Sequence, residues 1–214
     1  MSATMTLFAL AIIAGIFYGA VLLRRPQGHL RAAAKIAPIV LLAVTAAEAE
    51  QSVLLVVALA FSALGDLFLA YRGERAFMSG LGAFLVAHLA YCALFAAGQD
   101  AAWSAGPLFL AGTVVVFAFA LGMYRRLQPH LGAMRFPVAV YCGVIAAMAV
   151  AALSRGPDPV LLAGVALFMA ADALLAFETF VFAEASAHRR WSAPAIWFAY
   201  LASQALIAWS FLSA

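Results

Sequence analysis

Apolar stretches of about 20 residues, the length an α-helix needs to cross a hydrocarbon core of roughly 30 Å, follow one another along nearly the whole chain. Prolines, glycines and arginines separate them. Of the 214 residues, 68% are hydrophobic and 10% charged, with a mean hydropathy of +1.07, whereas soluble domains carry about 25% charged residues. No stretch is left over for a soluble domain. The expected architecture is one all-α integral membrane domain over residues 1–214.

Breakers and charges delimit eight spans near residues 5–23, 34–47, 52–71, 77–97, 106–124, 136–153, 158–182 and 193–212, the second being the shortest. With eight spans, the loops joining 1 to 2, 3 to 4, 5 to 6 and 7 to 8 fall on one side. Eleven of the twelve Lys and Arg residues lie in or beside them, and only Arg155 faces the other way. Cytoplasmic loops hold the excess of Lys and Arg, so this bias predicts those four loops in the cytoplasm and both termini on the non-cytoplasmic side. Adding or removing a span would scatter Arg125 to Arg190 onto the wrong face. The first apolar run, Met5 to Leu23, ends in Arg24-Arg25 rather than a small-residue cleavage site, which predicts a retained span. The expected location is therefore the cell (inner or plasma) membrane, as a multi-pass protein.

Net charge is +3 and the pI near 9.1, yet this clustering at span ends marks topology, and no nucleic-acid partner is expected. The chain contains no P-loop, dinucleotide fingerprint or zinc-protease helix. Cys92 and Cys142 each fall inside a span, too few for a disulfide framework or a metal cluster, and are expected to be packing residues. Gly80, Gly82 and Gly164 are small enough to let helices approach closely.

Six of the nine acidic residues, Glu184 among them, sit at expected span ends or loops; Asp66, Asp172 and Glu178 do not. A carboxylate at mid-membrane costs about 2.5–3.5 kcal/mol on insertion scales, so acids at such positions are functional candidates. An apolar setting also favours the protonated carboxyl, which can then donate a proton. Asp66 lies five residues before the cytoplasmic end of its span, roughly 8 Å deep. His88 and Asp172 lie at comparable or greater depth, so all three can line one cavity. Glu178 is six residues beyond Asp172, a rotation of about 240° that predicts a different direction. In span 4, Phe84, His88 and Tyr91 share a face, and Tyr141, Tyr200 and Gln204 add polar groups in spans 6 and 8. These are candidate ligand contacts or hydrogen-bond partners.

The segments FSALGDLFLAYRGERAFMSGLGAFLVAHLAYCALF (Phe61 to Phe95), GVALFMAADALLAFETF (Gly164 to Phe180) and AYLASQALIAWS (Ala199 to Ser210) resemble the signatures of the YhhN-type membrane family, which includes the lysoplasmalogenases. Two positions depart from its pattern: Ala171 stands where a Ser is common, and Lys35 and Pro38 are separated where the family tends to have Lys-Pro. The resemblance implies an ether hydrolase that cleaves the vinyl ether bond of a lysoplasmalogen, releasing a fatty aldehyde and glycerophosphocholine or glycerophosphoethanolamine. That chemistry needs a carboxylic acid to protonate the outer alkene carbon and a carboxylate to steady the resulting cation or activate water. Asp66 and Asp172 are the candidate pair, either of them the acid, with His88 tuning or relaying the proton and Tyr91 placing water or substrate.

Substrate contacts are expected from Tyr91, Tyr141, Tyr200, Gln204 and Lys35, and phosphate contacts from Arg72, Arg75 or Arg125, since guanidinium suits phosphate oxygens. A lysophospholipid could arrive sideways from the bilayer. No cofactor is expected; one His with two carboxylates makes a poor transition-metal site, while Mg²⁺ stays open. The competing expectation is a proton-coupled transporter, because intramembrane Asp and His also form proton relays.

Overall fold

The computed structural model describes residues 3–104, 106–183 and 186–213, so Glu184 lies outside the described residues. They form an all-helical bundle: α1 (Ala3–Phe17, continued by a π-helical turn, Tyr18–Leu22), α2 (His29–Glu48), α3 (Val53–Leu69), α4 (Glu74–Ala96), α5 (Pro107–Leu127), α6 (Arg135–Leu153), α7 (Pro159–Phe180) and α8 (Arg189–Leu212). A single helical turn, Ala101–Ser104, lies between α4 and α5. Seven of the long helices have the length and apolarity to cross a membrane. The chain is a multi-pass membrane protein.

The short helix is not where the sequence places it. α2 has 20 residues, because it begins at His29 rather than 34 and carries Arg31 and Lys35 within its first turns. Long basic side chains can lay their stems along apolar surface while the charge stays near water, so they do not stop the helix. α3 instead has 17 residues, about 25 Å at 1.5 Å per residue. It packs chiefly between α2 and α4, and Leu55, Ala58, Leu59, Ser62, Ala63, Gly65 and Asp66 are all buried. A central helix meets protein more than lipid and can be both shorter and more polar.

Neighbours in sequence are neighbours in space from α1 to α4, and α7 pairs with α8; α4 also rests on α6, and α8 on α2. Small residues allow the closest approaches. A Cβ on Gly164 would lie 2.9 Å from the Ile207 side chain and 3.1 Å from the Ser203 carbonyl, and one on Gly80 2.8 Å from Leu69. Gly82 faces open space. α5 stands apart, packing mainly on α6, with Leu127 at its end its one buried residue among those described and Val114 and Val115 each 67% exposed. Apolar side chains left bare in this way suit contact with lipid.

Contacts between connections define two ends of the bundle. At the basic end Arg24 donates to the Arg190 carbonyl, and His29 bonds the Tyr71 hydroxyl at 2.9 Å. At the opposite end Asp100 N–H donates to the Ser154 carbonyl, and the Trp103 indole to the Leu153 carbonyl.

Candidate active site

A cavity of ≈690 Å³ opens among α1, α2, α3, α4, α7 and α8. That is within the roughly 300–1,000 Å³ of small-molecule sites. Asp66 and Asp172 both line it, as do Lys35, Arg72, Glu178 and Tyr200.

Asp66 comes from the buried face of α3. Its Oδ1 lies 3.1 Å from Lys35 Nζ, which also donates to the Asp66 backbone carbonyl at 3.2 Å. Lys35 reaches it because α2 starts early, so the interrupted Lys-Pro pattern still delivers the ammonium. Asp66 Oδ2 and the Tyr200 hydroxyl are buried and without a hydrogen-bond partner among the described residues. They are near enough to interact electrostatically but are not aligned as a hydrogen bond. Gly65 has a plain steric role: the Phe84 ring lies against it, 2.5 Å from where a Cβ would stand. Larger residues there would displace Phe84, which lines the cavity and whose carbonyl holds His88.

His88 is fully buried. Its Nδ1 is 2.6 Å from the Phe84 carbonyl, and a carbonyl only accepts, so Nδ1 carries the proton. Nε2 faces Asp172 Oδ2 at 3.4 Å, within ion-pair distance but not aligned as a hydrogen bond. Such contacts are often long before substrate binds. Tyr141 donates to the same Oδ2 at 3.0 Å, and the His88 ring packs between Tyr141 and Phe168. With Nδ1–H committed to the Phe84 carbonyl, Nε2 is the ring nitrogen turned toward Asp172.

The remaining expected residues divide. Tyr141, Tyr200, Lys35 and Arg72 reach the site. Tyr91 and Gln204 line neither this cavity nor the narrower crevice beside it. Instead the Tyr91 hydroxyl donates to Gln204 Oε1 at 2.6 Å and Gln204 Nε2 to Ser62 Oγ at 3.1 Å, a buried chain tying α4, α8 and α3 together. Arg75 and Arg125 line neither cavity. Arg31 and Arg189 do line the larger one, but their guanidinium groups donate to the last carbonyls of α1 and α7. Glu178 corrects the expected direction. Ala171, Leu175 and Glu178 form one stripe facing the cavity, with Asp172 at its edge, so the acid six residues on returns to the same space. Ser192 and Arg189 hold it there.

Tyr18 was not foreseen. The π turn carries it, buried, to the cavity wall, where it packs on Trp197 with ring centroids 4.5 Å apart. Single π turns often mark functional positions, but no local sequence pattern announces one. Among the described residues no group of three or more His, Cys, Asp or Glu is arranged to hold a metal ion.

Two curated lysoplasmalogenases, from Mycobacterium bovis and Mycobacterium tuberculosis, are each 34% identical over 208 residues, covering 90% of this chain and 77% of theirs. No solved structure matches the chain. The YhhN family model matches residues 30–211, taking in α2 to α8 and both aspartates; the chain belongs to the YhhN family.

Proposed function

We propose that this protein is a lysoplasmalogen hydrolase of the cell membrane, built from eight spans with both termini outside. It cleaves the vinyl ether of an alkenyl-glycerophosphocholine or -ethanolamine to a fatty aldehyde and the glycerophospho alcohol. The observation that carries this reading is two carboxyls lining one cavity with different partners, an ammonium for one and an imidazole for the other. The relatives named lysoplasmalogenase point to the same reaction.

In this scheme the Asp172–His88 pair is the proton source. Asp172 gives a proton to the outer alkene carbon, leaving an oxocarbenium ion at the carbon bonded to the ether oxygen. Asp66, paired with Lys35 at 3.1 Å, faces that cation as the carboxylate of the scheme and accepts a proton from the attacking water. As the hemiacetal breaks its bond between carbon and glycerol oxygen, Asp66 gives the proton it took from water to that oxygen and the hemiacetal hydroxyl gives its own to the Asp172–His88 pair, so aldehyde and alcohol leave and both carboxyls return to their starting states. One carboxyl acting as acid and a second as anion is the division seen at glycosidase sites. Arg72 is placed to bind the phosphate: it makes no hydrogen bond or ion pair among the described residues, whereas Arg31 and Arg189 cap helices.

The test is purified protein in detergent with a lysoplasmalogen or its saturated 1-alkyl analogue, following aldehyde release. Aldehyde should come only from the vinyl ether; none from either overturns the hydrolase. A proton-coupled carrier is the second reading, favoured by the Asp172 carboxyl and the buried His88 imidazole facing each other at 3.4 Å. It would cleave neither lipid.

A further inference from the structure

Asp172 stands at the junction of two cavities of opposite character. Arg31, Lys35, Arg72, Arg189 and Glu178 line the larger one. The smaller is a crevice of ≈80 Å³ whose wall includes Phe119, Met123, Val138, Cys142, Met169 and Ala176, and Asp172 is its one charged lining residue among those described. The two adjoin, since Leu69, Phe77, Phe84, Asp172, Leu175 and Thr179 border both. They lie on either side of the line where α4 and α7 meet through side chains, Phe77 against Phe180 and His88 against Phe168 and Asp172.

We propose that the crevice is a subsite for the aliphatic chain of a single-chain ether phospholipid, holding the carbons nearest the ether while the head group occupies the charged cavity. The proposal rests on the vinyl ether reading for which carbon sits at Asp172. Given that placement, geometry leaves the chain one course. A head group on the charged side and a reacting carbon at the junction put the next methylenes into the apolar side. The crevice is too small to enclose a whole lipid chain, and its far wall is α5, whose other faces are exposed. The chain therefore runs on along α5 into the bilayer, which also gives the lipid a sideways path to the site. Ala120, Ala173 and Ala176 leave the room it needs.

Photo-crosslinking reads this without turnover. A saturated 1-alkyl lysophospholipid carrying a diazirine a few carbons from the ether is mixed with the protein in detergent and illuminated, and the labelled peptides are identified. Label should fall on α5 and α6 around Phe119, Met123 and Cys142. Label confined to α1, α2 and α8, or spread over the outer surface, overturns the subsite. Because this lipid is never cleaved, the outcome stands apart from whether the protein is a hydrolase. In turnover, Ala176→Trp and Ala120→Trp should raise KM for a long-chain vinyl ether about tenfold and leave that for an ethenyl analogue, which has no carbon beyond the double bond to place in the crevice, unchanged. Ala120 is on the outlying helix, where bulk is tolerated if Ala176→Trp fails to fold. Equal loss on both substrates overturns the proposal.

Discussion

Asp66 and Asp172 differ in what each carboxyl touches, and the difference is chemical. One carboxyl lies 3.1 Å from an ammonium, while the other faces an imidazole nitrogen at 3.4 Å. Replacing either by Asn keeps the volume and loses the chemistry. Aldehyde release should fall about 10²–10⁴-fold, the usual worth of a general acid or base, with thermal unfolding in detergent little changed. Undiminished turnover in both variants would remove the aspartates from the mechanism. Lys35→Met should destabilise the fold by orphaning Asp66. The loss should be less than the roughly 3–5 kcal/mol of a fully enclosed pair, because 15% of the Lys35 side chain stays exposed. Adding Asp66→Asn should recover part of that stability, since the unpaired charge is gone. A double variant no more stable than Lys35→Met alone would show that the pair is not coupled.

Among elements, α7 supplies most to the site and is anchored at both ends. Asp158 is its N-cap, accepting from Val160 N–H at 2.9 Å and Leu161 N–H at 3.0 Å, with Ser210 of α8 donating to its other oxygen at 2.7 Å. Partial burial works against its charge, but hydrogen bonds from Leu161, Ser210 and Val160, with Arg155 nearby, hold the carboxyl below its ordinary value of 3.8. A lowered value in the folded state means that the stabilisation is fully present above pH 3.8 and is lost as pH falls through the lower folded value. Asp158→Ala should therefore cost about 1 kcal/mol at neutral pH. The gap between variant and parent in thermal unfolding should narrow as the buffer is taken below pH 3.8. A gap that is constant with pH would mean the charge is not what caps α7. Activity should hardly change, because the cap lies at the end of α7 away from Asp172.

At the scale of the whole molecule, the basic loops share an end. Arg24 meets the Arg190 carbonyl and His29 meets Tyr71, across three separate connections. If that end is cytoplasmic, a Cys92→Ser, Cys142→Ser background with Gln99→Cys or Ser213→Cys should react with an impermeant maleimide on intact cells. Gln27→Cys and Gln128→Cys should react only after lysis. The inverse pattern would reverse the orientation. Hydropathy alone made the helical bundle and most helix limits legible, because a backbone in hydrocarbon must bond to itself and apolar length then dictates the spans. It also singled out Asp66, His88 and Asp172, since an ionisable group amid apolar residues costs too much to be incidental. Helix rotation and the packing of distant helices were not legible. These put Lys35 on Asp66, turned Glu178 back toward the cavity, withdrew Tyr91 and Gln204 into a buried link, and brought Tyr18 to the wall through a π turn. Which residues dislike lipid is written in their composition, but which of them meet is decided by contacts between segments far apart in the chain, and those exist only once the bundle has closed.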